Sequence, residues 1–147
     1  KKFDNKSKLY NPRVRLIASL VQKEIIDIEV ENNPRFVSNL NDNLSKTLVL
    51  SCIGFSNKAI AKLFDLSEKA IELRFSQLFD YFNVDTKNQT QVNPRVSLFI
   101  SAFCRGNIKK NQIQRLFKES STERLDSIFE QPESFLSSLQ EEYKFIG

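Results

Sequence analysis

The stretch "GFSNKAIAKLFDLSEKAIELRF", residues 54–75, reads as two short helices around a tight turn. Ser56 is placed to cap the first, because a serine hydroxyl accepts an amide hydrogen bond that the first helical turn leaves open. That helix is expected to run to about Phe64 with Ile60, Ala61 and Phe64 turned inward. Asp65-Leu66 makes the turn, and Ser67 caps a second helix running to about Phe82. At 100° per residue, Ile71, Phe75, Leu78 and Phe82 share a narrow stripe that must face the core. The opposite face carries Lys69, Leu73, Ser76 and Asp80, flanked by Glu72 and Gln77.

Outward from this stretch the apolar spacing stays helical. Val14, Ile17, Val21, Ile25 and Ile28 recur at steps of three and four and predict one long first helix. Asn-Pro pairs at 11–12, 33–34 and 93–94 are start signals, since Asn caps the free amides and Pro suits the first helical position. "NPRVRLIAS" at 11–19 and "NPRVSLFIS" at 93–101 raise the question of an internal duplication, although capping alone accounts for the shared Asn-Pro. After Gly106 come three short amphipathic units, marked by Ile113, Leu116 and Phe117, by Leu125, Ile128 and Phe129, and by Leu136, Leu139 and Tyr143. Ser120 with Glu123 reads as a capping box for the second unit, and Pro132 as a first-turn residue of the third. Strand-like alternation is confined to "IIDIEV" at 25–30, which passes for a short strand at most. The expectation is an all-α protein, residues 1–147 forming a single compact helical bundle.

Composition narrows the function classes. With 147 residues, 40% hydrophobic and 27% charged, the chain suits one domain with a true core. No apolar run approaches the ~20 residues of a membrane span, and the longest, "TLVLSCIGF", is broken by Ser51 and Gly54. The basic opening "KKFDNKSKLY" has no apolar stretch behind it, so no signal peptide is read and a cytoplasmic location is the default expectation. There is no His, no Gly-rich phosphate loop among three glycines, and no nucleophile-elbow or paired-carboxylate signature. An enzyme, a cofactor and a metal site are therefore not expected. Cys52 and Cys104 lie inside apolar helical patterns and read as buried thiols. The chain holds no Met, so a piece of a longer protein is expected. The net charge of +4 is uneven: residues 84–120 hold seven Lys/Arg against two Asp/Glu, and residues 121–147 two against six. A basic body with an acidic tail suits a nucleic-acid binder, and suits solvated surfaces almost as well.

"GFSNKAIAKLFDLSEKAIE", with Val84 after Asn83, resembles the C-terminal DNA-binding domain of LuxR-type transcription regulators. That family usually shows Gly, an apolar residue, Ser-Asn-Lys, Ile-Ala, later Ile-Ser with a Thr-Val pair, and a closing Gly-Val. The resemblance covers residues 44–108, with Pro94 through Arg105 as the family's fourth helix and 109–147 as a C-terminal helical extension. It implies a helix-turn-helix whose second helix enters the major groove of double-stranded DNA, and a homodimer is expected, since one short helix reads few base pairs. The matching positions for DNA contact are Ser56, Asn57, Lys58 and Lys62 on and before the first helix, and Ser67, Lys69, Glu72, Leu73, Ser76 and Gln77 on the second.

Three departures stand out. The preceding helix, "LSKTLVLSCI", is short and lacks the family's usual acid, and the connection from Val84 to Asn93 is long. The third departure is Glu72, which stands where the family usually has Lys. An acid facing phosphate repels it, so anchoring is expected from Lys58, Lys62, Lys87 and Arg95. Base readout stays open through Leu73 to a thymine methyl, Gln77 to adenine and Glu72 to a cytosine amino group. Arg74, at the edge of the buried stripe, is expected in a structural salt bridge. The alternative to DNA is a degenerate helix-turn-helix whose outer face, with Leu73 and Tyr81, meets a regulatory protein partner.

Overall fold

Five helices begin with a side chain that closes the gap left by missing backbone acceptors. Asn11 accepts from the Val14 amide at the head of α1 (Pro12–Gln22). Asn41 does the same for Leu44 in α2 (Asp42–Cys52), and Ser56 for Ala59 in α3 (Asn57–Phe64). Ser67 caps α4 (Glu68–Tyr81) through Ala70, and Asn93 caps α5 (Pro94–Cys104) through Arg95 and Val96. Three further helices follow, α6 (Lys110–Glu119), α7 (Leu125–Glu130) and α8 (Pro132–Lys144). These elements come from a computed structural model that describes residues 6–23, 40–87 and 93–144. Among the described residues the fold is all-α, and no helix is long and apolar enough to cross a membrane.

Helices α2 to α5 also end alike. Each closes on a residue of positive φ: Gly54 (95°), Asp65 (56°), Asn83 (55°) and Gly106 (80°). The next amide folds back five residues in every case, from Phe55 to Leu50, Leu66 to Ala61, Val84 to Phe79 and Asn107 to Ala102. This left-handed stop satisfies carbonyls that a helix end leaves open, and Asn and Asp tolerate it better than other residues with a side chain. Asp65 and Asn83 thus end α3 and α4 in turn.

The core forms where α1 packs on α6, α5 and α2, α3 on α4, and α8 on α2 and α3. Leu50, Ile53, Ile60, Ile71, Leu78, Phe99 and Leu116 are sealed within it. Phe55 is its junction: stacked on Tyr10 with centroids 6.0 Å apart, it meets Phe129 and Phe135 edge-on at 6.2 and 6.5 Å. The segment before α1 is paired to the same place, Asn11 N–H donating to Gly54 O at 2.6 Å and Ser56 N–H to Leu9 O at 2.9 Å. Gly54 admits this approach because a Cβ there would lie 2.8 Å from the Arg15 Cα.

Several expectations need correcting. In the described residues α1 ends at Gln22; Ile25, Ile28, the 25–30 strand alternative and Asn33-Pro34 lie outside them. Ser120 caps no helix start. It is buried at the end of α6, where its hydroxyl donates to Phe117 O and accepts from Arg15. A short 3-10 turn (Thr122–Arg124) leads into α7 instead. The two "NPR" segments share their Asn cap and first-turn Pro but not their environment, since Arg13 is exposed and Arg95 is half-buried and hydrogen-bonded inward.

Candidate nucleic-acid interface

The helix-turn-helix consists of α3, eight residues long, and α4, fourteen long, joined through Asp65, Leu66 and Ser67. As the spacing predicts, Ile71, Phe75 and Leu78 face inward and Phe82 closes the stripe. The outer face exposes Lys69, Glu72, Leu73, Ser76, Gln77 and Asp80, with Glu68 and Tyr81 at its ends. Its charged groups are one Lys against three carboxylates. Leu73 is 62% exposed at the middle. Lys58 and Lys62 are exposed one turn apart on α3, and Lys87 is exposed in the bend after α4. Ser56 and Asn57 are half-buried at the α3 N-terminus, and the Ser56 hydroxyl donates to Lys8 O at 2.8 Å as well as capping the helix.

Arg95, expected as a phosphate anchor, is instead committed inward. Its Nε donates to Ser51 Oγ (3.1 Å), Nη1 to Asn57 Oδ1 (2.7 Å) and Nη2 to Phe55 O (2.8 Å). The guanidinium lies 3.9 Å from the centroid of the Phe75 ring. Burial lowers its pKa to about 10, against an opposing influence from Cys52. Burial likewise pushes the Cys52 thiol up to about 12, the charge of Arg95 pulling the other way. Both cysteines are thiols, Cys52 buried and Cys104 half-buried.

Arg74 corrects a second expectation. It has no carboxylate partner among the described residues; Nη1 donates to Thr47 Oγ1 at 3.2 Å and the guanidinium covers the Phe64 ring at 4.3 Å. Planar guanidinium stacks on aromatic faces where ammonium would not fit.

Arg15, which the sequence did not single out, is the counterpart of Arg95 on the other side of α2. It donates to Ile53 O at 2.7 Å and Ser120 Oγ at 2.9 Å, sandwiched between Tyr10 (4.4 Å) and Phe117 (3.7 Å). Two arginines from distant segments therefore meet the carbonyls just past the end of α2, where the helix dipole is negative. The signal for Arg95 was a single charged residue in a helix beginning with Asn-Pro, whereas Arg15 shares such a helix with the exposed Arg13.

Beside α4 lies a cleft of about 350 Å³, walled by Glu72, Phe75, Ser76 and Phe79 from α4, Asn57 from α3, and Asn93, Pro94 and Arg95 from α5. It opens on the flank of the outer α4 face, next to Glu72 and Ser76. Comparison of the chain with protein-family models, with curated proteins and with solved structures returns no match.

Proposed function

We propose that this chain is the DNA-binding module of a transcription regulator, with α4 entering the major groove, and that it acts as a homodimer. The observation that carries this reading is the pairing of a short and a longer Ser-capped helix across the left-handed Asp65 turn, with the outer face of the longer helix uncovered. The Ser-Asn-Lys and Ile-Ala positions that resemble the LuxR type lie on the first of these helices. Three carboxylates at the α4 face weaken phosphate attraction, so the anchoring falls to Lys58, Lys62 and Lys87. With Arg95 turned inward, few anchors remain, and the module binds DNA modestly and with a shallow salt dependence.

The test is anisotropy of a labelled duplex between 50 and 200 mM salt. Three phosphate contacts at a slope of about −0.9 each weaken binding roughly 40-fold across that range. Lys58→Glu/Lys62→Glu leaves one contact and only about a threefold weakening, from a much lower starting affinity. No duplex binding at the lowest salt, or an unchanged slope in the double variant, would overturn the proposal.

A second reading is favoured by Leu73, 62% exposed beside Glu72 on a face with three carboxylates and one Lys. On that reading the α4 face docks a basic, apolar-centred segment of a regulatory protein. Leu73→Asp then abolishes capture of the purified partner while urea unfolding stays as in the wild type; unimpaired capture would exclude it.

A further inference from the structure

The cleft beside α4 has a chemistry that phosphate anchoring through Lys58, Lys62 and Lys87 does not use. A guanidinium carries five N–H groups, and the three hydrogen bonds of Arg95 take one from each nitrogen. No carboxylate pairs with it among the described residues, and a half-buried cation without a counter-charge attracts anions strongly because its surroundings screen weakly. The neighbouring amides are donors as well. Asn57 has its oxygen occupied by Arg95, and Asn93 has its oxygen occupied by the amides of Arg95 and Val96. With the Asn93 oxygen doubly engaged and the Asn57 oxygen turned to Arg95, both side chains keep their N–H groups to offer.

The α4 wall is the reverse. Glu72 brings a carboxylate, and beside it half-buried Phe79 lines the cleft with the nearly sealed Phe75, ring centroids 6.0 Å apart. A simple anion would meet the Arg95 side favourably and be repelled by Glu72. A simple cation would suffer the opposite. A ligand bearing both charges and an apolar group suits every wall, and a volume of about 350 Å³ lies at the small end of the range for such sites.

We infer that this cleft binds a free α-amino acid with an apolar or aromatic side chain. The carboxylate meets Arg95 and the two Asn amides, the ammonium meets Glu72, and the side chain lies on Phe75 and Phe79. The site is assembled from three helices, α3, α4 and α5, which also explains why Arg95 is held in place by Ser51, Phe55 and Asn57: its remaining donors are already oriented before a ligand arrives. The inference stands on the cleft alone and is independent of whether α4 contacts DNA.

The experiment is calorimetric titration of the full chain with L-phenylalanine, hydrocinnamate (carboxylate only) and phenethylamine (ammonium only). L-Phenylalanine is expected to bind at millimolar concentration or below, and each single-charge analogue roughly tenfold or more weakly, the equivalent of one charge-assisted hydrogen bond. Two exposed positions supply variants that spare the core. Glu72→Gln weakens L-phenylalanine about tenfold while leaving hydrocinnamate equal or tighter, a reversal that a folding defect would not produce. Ser76→Trp fills the cleft and removes binding of all three. No detectable binding of L-phenylalanine at millimolar concentration, hydrocinnamate binding as tightly as the amino acid, or indifference to Ser76→Trp would each overturn the inference.

Discussion

Burying a guanidinium costs its hydration, and the cost is offset only when its N–H groups find acceptors with good geometry. Arg95 meets this condition without any carboxylate, using a hydroxyl, an amide oxygen, a carbonyl and the face of Phe75. Removing it would strand Phe55 O and the Asn57 side chain beside an apolar wall. Arg95→Leu, similar in bulk, is expected to lower the unfolding free energy by roughly 3 kcal/mol, read as a shift of the urea midpoint at constant slope. Arg95→Lys recovers less than half of that, because one ammonium cannot reach three acceptors and stack at once. A loss under about 0.5 kcal/mol in the Leu variant would show that Arg95 is peripheral to stability.

At the scale of the element, a Ser cap does the same local work twice but not with the same consequences. Ser67 Oγ accepts from Ala70 N–H at 3.1 Å at an exposed position. Ser56 Oγ accepts from Ala59 N–H at 3.2 Å and also donates to Lys8 O, tying α3 to the segment before α1. Ser67→Ala is therefore expected to cost about 1 kcal/mol, the ordinary value of a lost cap. Ser56→Ala should cost about twice that, since a second, tertiary hydrogen bond goes with it. Thermal unfolding of the two variants side by side checks the order, and equal losses would mean that the Lys8 contact contributes nothing. The turn between these caps was visible in "DLS" at 65–67, yet the left-handed conformation of Asp65 was not. Asp is only permissive there, and the conformation is selected by the closure of α3 onto α4.

Across the whole molecule, the terminal helices complete the core that the middle segment begins. Residues 44–108 hold the helix-turn-helix, but Phe55 at its entrance is covered by Tyr10 on one side and by Phe129 and Phe135 on the other. Arg15 reaches from α1 to the end of α2 and to the last turn of α6. A fragment of residues 44–108 is expected to lose cooperative unfolding, because a stranded Phe alone forfeits about 3 kcal/mol and the covering faces of α1, α6 and α8 go with it. Circular dichroism during a urea titration reads this directly. A sharp transition in the fragment, near the midpoint of the full chain, would show instead that the flanking helices are appendages.

The sequence by itself determined the helical character, the starts at Asn11, Ser56, Ser67, Asn93 and Pro132, and the two faces of α4, because capping chemistry and a 3.6-residue period act within a few residues of chain. The acid-rich outer face, with Glu72 in place of a base, was legible for the same reason. Only the tertiary structure decided the fate of the arginines. Arg13 and Arg95 occupy the same place in nearly the same local sequence, and one reaches solvent while the other lies across Phe75. What separates them is the set of acceptors each meets, Ser51, Phe55 and Asn57 for Arg95. Those residues lie about forty positions away, beyond the reach of any local pattern.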